Sequence, residues 1–138
     1  MSSSTNASCI VLSDAYVLFV VRLDGKLALP GGTVERGETD WKAMAREWSE
    51  ETGMKLPKSK EVEFTKKIIR RHRDGTTTKI YVGVSKMHHR WFAFNRDGRL
   101  KRGETRNIEW MRVDEAIHSA RVVDYVRASL ILYKSYSS

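Results

Sequence analysis

The sequence predicts a mixed α/β protein, a β-sheet sandwiched between helices in an α/β/α arrangement. Apolar runs with strand character lie before, between and after two segments of helical periodicity. That order buries both faces of a mixed sheet under helices. The helical stripes are Trp41, Met44, Ala45 and Trp48, at i, i+3, i+4 and i+7, and Val123, Val126, Leu130 and Tyr133 near the C-terminus. Such a stripe is the face by which a helix packs on a sheet, so these residues are assigned to the core.

The elements follow in order. Residues 1–6 are small and polar and read as a frayed terminus. Apolar residues dominate from Ala7 to Val21 with a break at Ser13-Asp14, giving two strands or one bent strand. Asp24-Gly25 is a turn signal, Lys26 to Leu29 a short strand, and Pro30-Gly31-Gly32 opens the loop into the first helix. Thr39 suits that helix as N-cap and Gly53 as its stop. Val62 to Arg73 and Thr76 to Met87 form a long hairpin around Asp74-Gly75, with Ile80, Val82 and Val84 alternating on the second strand. On the first, Ile68 shares a face with Arg70 and His72, while Arg71 and Arg73 point the other way. Arg90 to Phe94 reads as a further aromatic strand, 95–106 as a polar, arginine-rich loop, and Ile108 to Val113 as the last strand. Asp114 is expected to cap a short helix. No repeat or linker interrupts the chain, so residues 1–138 are read as one domain.

Composition narrows the class. At 138 residues and 15.9 kDa, with 41% hydrophobic and 30% charged residues, the chain resembles ordinary globular domains, and no run reaches the length of a membrane span. Val17 to Val21 is short, follows Asp14 and lacks a basic leader, so it reads as a strand and not a signal peptide. A cytoplasmic location without membrane contact is therefore expected. The one cysteine, Cys9, has no internal partner for a disulfide and is assigned to a buried strand. Net charge is +8, and residues 58–112 carry 16 Lys and Arg against 6 Asp and Glu. That bias suits a polyanion: a nucleotide polyphosphate, a dinucleotide, an inositol polyphosphate or RNA.

Chemistry concentrates between Gly32 and Met54. Glu47, Glu50 and Glu51 stand at i, i+3 and i+4, so a helix projects all three carboxylates from one face. Like charges so placed repel, and hard divalent cations such as Mg²⁺ or Mn²⁺ neutralise them with the oxygen ligands they prefer. Arg46 lies beside Glu47 and within reach of Glu38, an ion pair able to orient a ligating carboxylate. Gly31 and Gly32, without Cβ atoms, let the backbone come close to a phosphate and its metal. An isolated Glu-Glu pair is ordinarily a solvated helix face; the spacing around this one decides otherwise.

Gly32, Glu38, Arg46, Glu47, Trp48, Glu50, Glu51, Gly53 and Met54 together resemble the Nudix box at every position. Trp48 stands where the family more often has Ile, Leu or Val, and Leu29 to Gly32 reads Leu-Pro-Gly-Gly as in small-molecule members. The resemblance implies an α/β/α sandwich with a loop-helix-loop, and hydrolysis of a diphosphate linkage in a nucleoside diphosphate derivative. It also implies Mg²⁺, with Mn²⁺ as substitute, on Glu47, Glu50, Glu51 and the Gly31 carbonyl, with Glu38 and Arg46 as the orienting pair. Glu104, five residues before Glu109-Trp110-Met111, resembles a catalytic Glu of MutT-type members and is preferred to Glu109 as auxiliary ligand or base.

Arg70, Arg71, Arg73, Lys79, Arg99, Lys101 and Arg102 are candidates to hold distal phosphates, set against plain solvated surface. Trp91, Phe92 and Tyr81 are candidates for base stacking, although strand aromatics are more often core. His72, His88, His89 and His118 lack metal-ligand spacing, and His88-His89 reads as a strand-end surface pair. The leading function is a Mg²⁺-dependent pyrophosphohydrolase of NTPs, dNTPs or dinucleoside polyphosphates. Alternatives are mRNA decapping or diphosphoinositol polyphosphate hydrolysis, and a non-catalytic nucleotide- or RNA-binding module. Small enzymes of this family are often homodimers, which is the expectation for assembly.

Overall fold

The computed structural model describes residues 4–94 and 105–137. Seven strands and four helices run in the order β1 (Thr5–Ser13), β2 (Tyr16–Arg22), β3 (Leu27–Ala28), β4 (Gly31–Thr33), α1 (Asp40–Thr52), β5 (Val62–Arg71), β6 (Thr77–Ser85), α2 (Arg90–Phe94), β7 (Thr105–Arg112), α3 (Val113–Ala116) and α4 (Asp124–Ser137). The sheet is mixed, as expected. Its path is β3-β2-β1-β6-β5, with β4 pairing β1 and β7 pairing β2. Among the described strands β1 and β6 run parallel, from Thr5↔Thr77 to Leu12↔Val84, and the other strand-to-strand ladders are antiparallel.

Alternation along β1 sorts two cores. Ile10 and Leu12 join Phe19, Ile80, Val82, Val126 and Leu130 under α4, while Ala7, Cys9 and Val11 join Met44, Trp48 and Phe92 under α1. Helix α1 ends where its sequence says it should. Thr39 Oγ1 accepts from the Lys42 N–H at 3.2 Å, and Gly53, at φ 74°, donates its N–H to the Ser49 carbonyl at 3.1 Å. Trp48 is fully buried and donates its indole N–H to the Lys55 carbonyl at 3.2 Å. Truncating such an anchor to Ala costs about 3–5 kcal/mol.

Four expectations are corrected. Thr5 and Asn6 are not frayed: Asn6 pairs with Thr33 on one side and Thr78 on the other, which ties the start of β1 into the sheet. Arg90–Phe94 is a helix. No described strand lies alongside to pair with it, and the Trp91 N–H closes a turn onto the His88 carbonyl at 2.9 Å. Asp114 does not cap α3, because Arg112 holds the N-cap position and Asp114 pairs with Lys134 of α4 instead. Trp41 leaves the core stripe at 39% exposure, packing edge-on against Phe64 and Tyr81, and Ala43 takes its place inside. Among the described residues, no helix is long and apolar enough to cross a membrane.

Candidate active site

The short strand β4 lays Gly31 and Gly32 against Ser8 and Ala7 of β1, and α1 then packs across that junction. The approach is closer than a side chain allows. At Gly31, with φ 150°, a Cβ would stand 2.3 Å from the Ala7 carbonyl oxygen; at Gly32 it would stand 2.6 Å from Cδ of Glu47. Both glycines are therefore needed for the loop to lie flush with the helix.

Arg46 organises the carboxylates. Its guanidinium takes Glu38 in a two-pronged grip, Nε to Oε2 at 2.8 Å and Nη2 to Oε1 at 3.1 Å. It also donates from Nη1 to Glu47 Oε1 at 2.8 Å and from Nη2 to the Thr33 carbonyl at 3.1 Å. Glu50 Oε2 lies 3.7 Å from the same Nη1. Glu38 also accepts from the Glu35 N–H at 3.0 Å. The Arg46 hydrogen bonds first, and this backbone bond second, hold the Glu38 carboxyl down to about 2. Reciprocally, Glu38 first and Glu47 next raise the Arg46 pKa.

Glu51 is anchored from the other side. It is 9% exposed and accepts the Gly31 N–H at 2.7 Å through Oε1. Its charge, after burial, helps push the neighbouring Cys9 thiol well above its ordinary range, so Cys9 is the inert buried residue expected of it.

Glu47 and Glu51 line a cleft of about 460 Å³ together with Asn6, Ser8, Val20, Arg22, Leu29, Gly31, Gly32 and Tyr125. Glu38, Glu47 and Glu50 thus meet one guanidinium, with Glu51 beside them on α1 held by the Gly31 N–H, and hard oxygen donors of this kind suit Mg²⁺ or Mn²⁺. Tyr125, from α4, brings an aromatic ring to the cleft wall, where burial raises its pKa and His72 packs edge-on at 5.5 Å.

The other predicted residues separate. Arg70 lies opposite Thr78, which in turn pairs with Asn6, so it stands two strands from the cleft and on the same sheet face. Arg73 is exposed in the hairpin turn. Lys79 faces the α1 side and is held by Asp40 at 2.7 Å. Tyr81, Phe92 and Trp91 do not line the cleft: Tyr81 packs on Trp41, Phe92 is fully buried, and Trp91 borders a different cavity with Met54 to Lys58. Glu109 is engaged bidentately by Arg121 at 2.9 and 3.1 Å. Glu104, Arg99, Lys101 and Arg102 lie outside the described residues.

Sequence reasoning missed Arg22 and Tyr125. Nothing local marks either, since each ends or begins an ordinary element and only the fold brings them together. It also missed a grouping of Asp14, His88 and His89, whose ligand atoms all lie within 4.8 Å of one another.

Fold and site together define a mixed sheet flanked by helices, one of which carries a carboxylate cluster organised by a single arginine. The chain belongs to the Nudix hydrolase family: the NUDIX domain model matches residues 3–130. Members of that family generally use divalent metals. Among solved structures it is similar to a MutT protein from Methanosarcina mazei Go1, at 17% identity and TM-score 0.69 over 99% of this chain and 96% of that one. It is also similar to a C. elegans Ap4A hydrolase, at 15% and 0.65 over 96% of each, and to an ADP-ribose pyrophosphatase from Streptococcus suis, at 17% and 0.60 over 82% and 76%. No curated protein matches the sequence.

Proposed function

We propose that this Nudix hydrolase cleaves a phosphoanhydride bond in a nucleoside diphosphate derivative, an NTP, a dNTP or a dinucleoside polyphosphate. The observation that carries this is the shared cleft, in which Glu47 and Glu51 stand on the same wall system as Arg22 and Tyr125. A polyphosphate can thus lie along the carboxylate helix while its nucleoside meets the aromatic ring.

In this reading Glu47, Glu50 and Glu51, with the Gly31 carbonyl, hold Mg²⁺, and Mn²⁺ can substitute. Bound there, the metal would screen the phosphate charge, polarise the phosphoryl oxygens and lower the pKa of an attacking water. The protein's own groups supply position. Arg46 fixes Glu47, and Glu38 fixes Arg46, so the ligating oxygen is aimed before substrate arrives. The Gly31 N–H holds Glu51 in place at the cleft wall. Glu104 is proposed as auxiliary ligand or base, since Arg121 already occupies Glu109.

The basic strand β5, with Lys66 and Arg70 on one face and Lys67 and Arg71 on the other, supports a second reading, in which a larger polyanion such as capped RNA or a diphosphoinositol polyphosphate is cleaved. The unpaired, buried Cys9 supports a reducing, cytoplasmic setting, and the family match from 3 to 130 supports reading these residues as one domain.

The test is product chromatography with Mg²⁺ and Mn²⁺ over NTPs, dNTPs, dinucleoside polyphosphates, ADP-ribose, capped RNA and diphosphoinositol phosphates, with Glu50→Gln as control. Cleavage of one class by wild type alone names the substrate. Binding without turnover of any member would replace the enzyme reading with a binding module.

A further inference from the structure

The β1–β2 turn carries Asp14, and the segment leading into α2 carries His88 and His89, 74 residues or more further along the chain. Two serines bring them together. Ser13 Oγ donates to the Met87 carbonyl at 2.9 Å, and Ser85 Oγ donates to the same carbonyl at 2.8 Å while accepting the Met87 N–H at 2.9 Å. His88 and His89 are thereby held over the end of β1, their rings 4.2 Å apart.

We propose that Asp14, His88 and His89 form a second metal site, selective for a borderline transition ion of the Zn²⁺ class and separate from the carboxylate helix. Two imidazoles and one carboxylate are the donor set that Zn²⁺, Ni²⁺ or Cu²⁺ prefers, whereas Mg²⁺ prefers oxygen alone. One potential donor atom from each residue lies within 4.8 Å of the others. A tetrahedral zinc site needs about 3.4 Å between ligands, and Asp14 and His88 are both exposed, so rotamer adjustment closes the gap.

His89 is the fixed member. Its ring leans on Tyr16 at 4.8 Å and Trp110 at 5.8 Å, and its Nδ1 is buried with no hydrogen-bond partner among the described residues. A buried ring nitrogen without a partner calls for an ion or a water. His88 Nδ1 accepts only a long 3.2 Å bond from the Arg90 N–H, which a metal at that nitrogen would displace.

The site is remote from the box. Gly31 pairs with Ser8, and Asp14 lies six residues beyond Ser8, just past the end of β1, roughly 20 Å away at the rise of a strand. Occupancy would staple the β1–β2 turn to the start of α2, whose Phe92 packs on Trp48 of α1 at 6.4 Å.

The test uses the untagged full chain, titrated calorimetrically with Zn²⁺ in millimolar Mg²⁺, alongside Asp14→Asn, His88→Ala and the triple box variant Glu47→Gln/Glu50→Gln/Glu51→Gln. Wild type and box variant are expected to bind one Zn²⁺ each with micromolar or better affinity. Asp14→Asn and His88→Ala should each weaken that binding at least tenfold. Imidazole nitrogen NMR should show Zn²⁺-dependent shifts at His88 and His89 in folded protein. No Zn²⁺ uptake by wild type, uptake unchanged in His88→Ala, or uptake lost in the box variant would each overturn the assignment.

Discussion

Replacing Gly32 with Ala is expected to abolish most turnover while leaving the fold intact. The added Cβ would meet Glu47 Cδ at 2.6 Å, Oε1 at 2.8 Å and Cγ at 2.9 Å, against an ordinary contact beginning at 3.4 Å. The carboxylate must therefore retreat by about 0.8 Å, the shortfall against that ordinary contact. Glu47 is the flexible partner, so the retreat costs the fold little, less than about 1 kcal/mol of stability. Its cost falls on position. Glu47 Oε1 is held at 2.8 Å by Arg46, and metal ligands tolerate displacements of only about 0.2 Å. Misplacement on the order of 1 Å at a reacting centre lowers rates about 10²-fold. The assay is kcat/KM over a Mg²⁺ titration, with Tm alongside. A loss of about two orders of magnitude and a higher Mg²⁺ requirement are expected at near wild-type Tm. Gly25→Ala is the control: φ is +83° but nothing lies within 4 Å, so it should lose stability and keep its rate. A folded Gly32→Ala enzyme with wild-type kcat/KM and Mg²⁺ dependence would refute the reasoning.

Further outcomes follow from the same geometry. The Glu38 carboxyl is depressed from 4.5 to about 2, so its pairing with Arg46 stabilises the fold fully above pH 4.5 and is lost as pH falls through 2. The Tm gap between wild type and Glu38→Gln should accordingly hold constant above pH 5 and shrink between pH 4.5 and 2; a gap that stays flat throughout rules the pairing out. Tyr125→Ala should raise KM about tenfold or more, the equivalent of losing one stacked base, with kcat changed far less. An equal loss in kcat would place Tyr125 in the chemistry instead. Trp48→Ala, emptying a fully buried site, should lower stability by about 3–5 kcal/mol in denaturant titration, and a loss below 1 kcal/mol would contradict the packing.

Much of the fold was legible because local chemistry and long-range packing agree. Thr39 and Gly53 bracket α1 by capping alone, and Asp74-Gly75 sets the hairpin that β5 and β6 form. The failures occur where a partner distant in sequence decides. Thr5 and Asn6 look frayed until β4 and β6 flank them. Arg90–Phe94 has the composition of a strand, yet strand preference is a preference for a pleated, paired surface, and no described strand offers one. Trp41 keeps helical spacing but packs edge-on against Phe64 of β5 and Tyr81 of β6 and stays partly exposed.

The same division explains the site. Glu38, Arg46, Glu47 and Glu50 occupy one loop and one helix, so their spacing accounts for three carboxylates lying 2.8 to 3.7 Å from one guanidinium. The cleft wall opposite draws Asn6 and Ser8 from β1, Arg22 from the end of β2 and Tyr125 from the start of α4. No periodicity links those positions, because their proximity is made by sheet order and by α4 lying across it. Chemistry that sits within one helix turn is thus readable from the chain, while substrate selection is spread over elements that meet only in the folded state. Exchanging Tyr125 and Arg22 should therefore change which nucleoside is preferred while the requirement for divalent metal stays with α1, and metal dependence that moved with the cleft substitutions would show that the two functions are not separable.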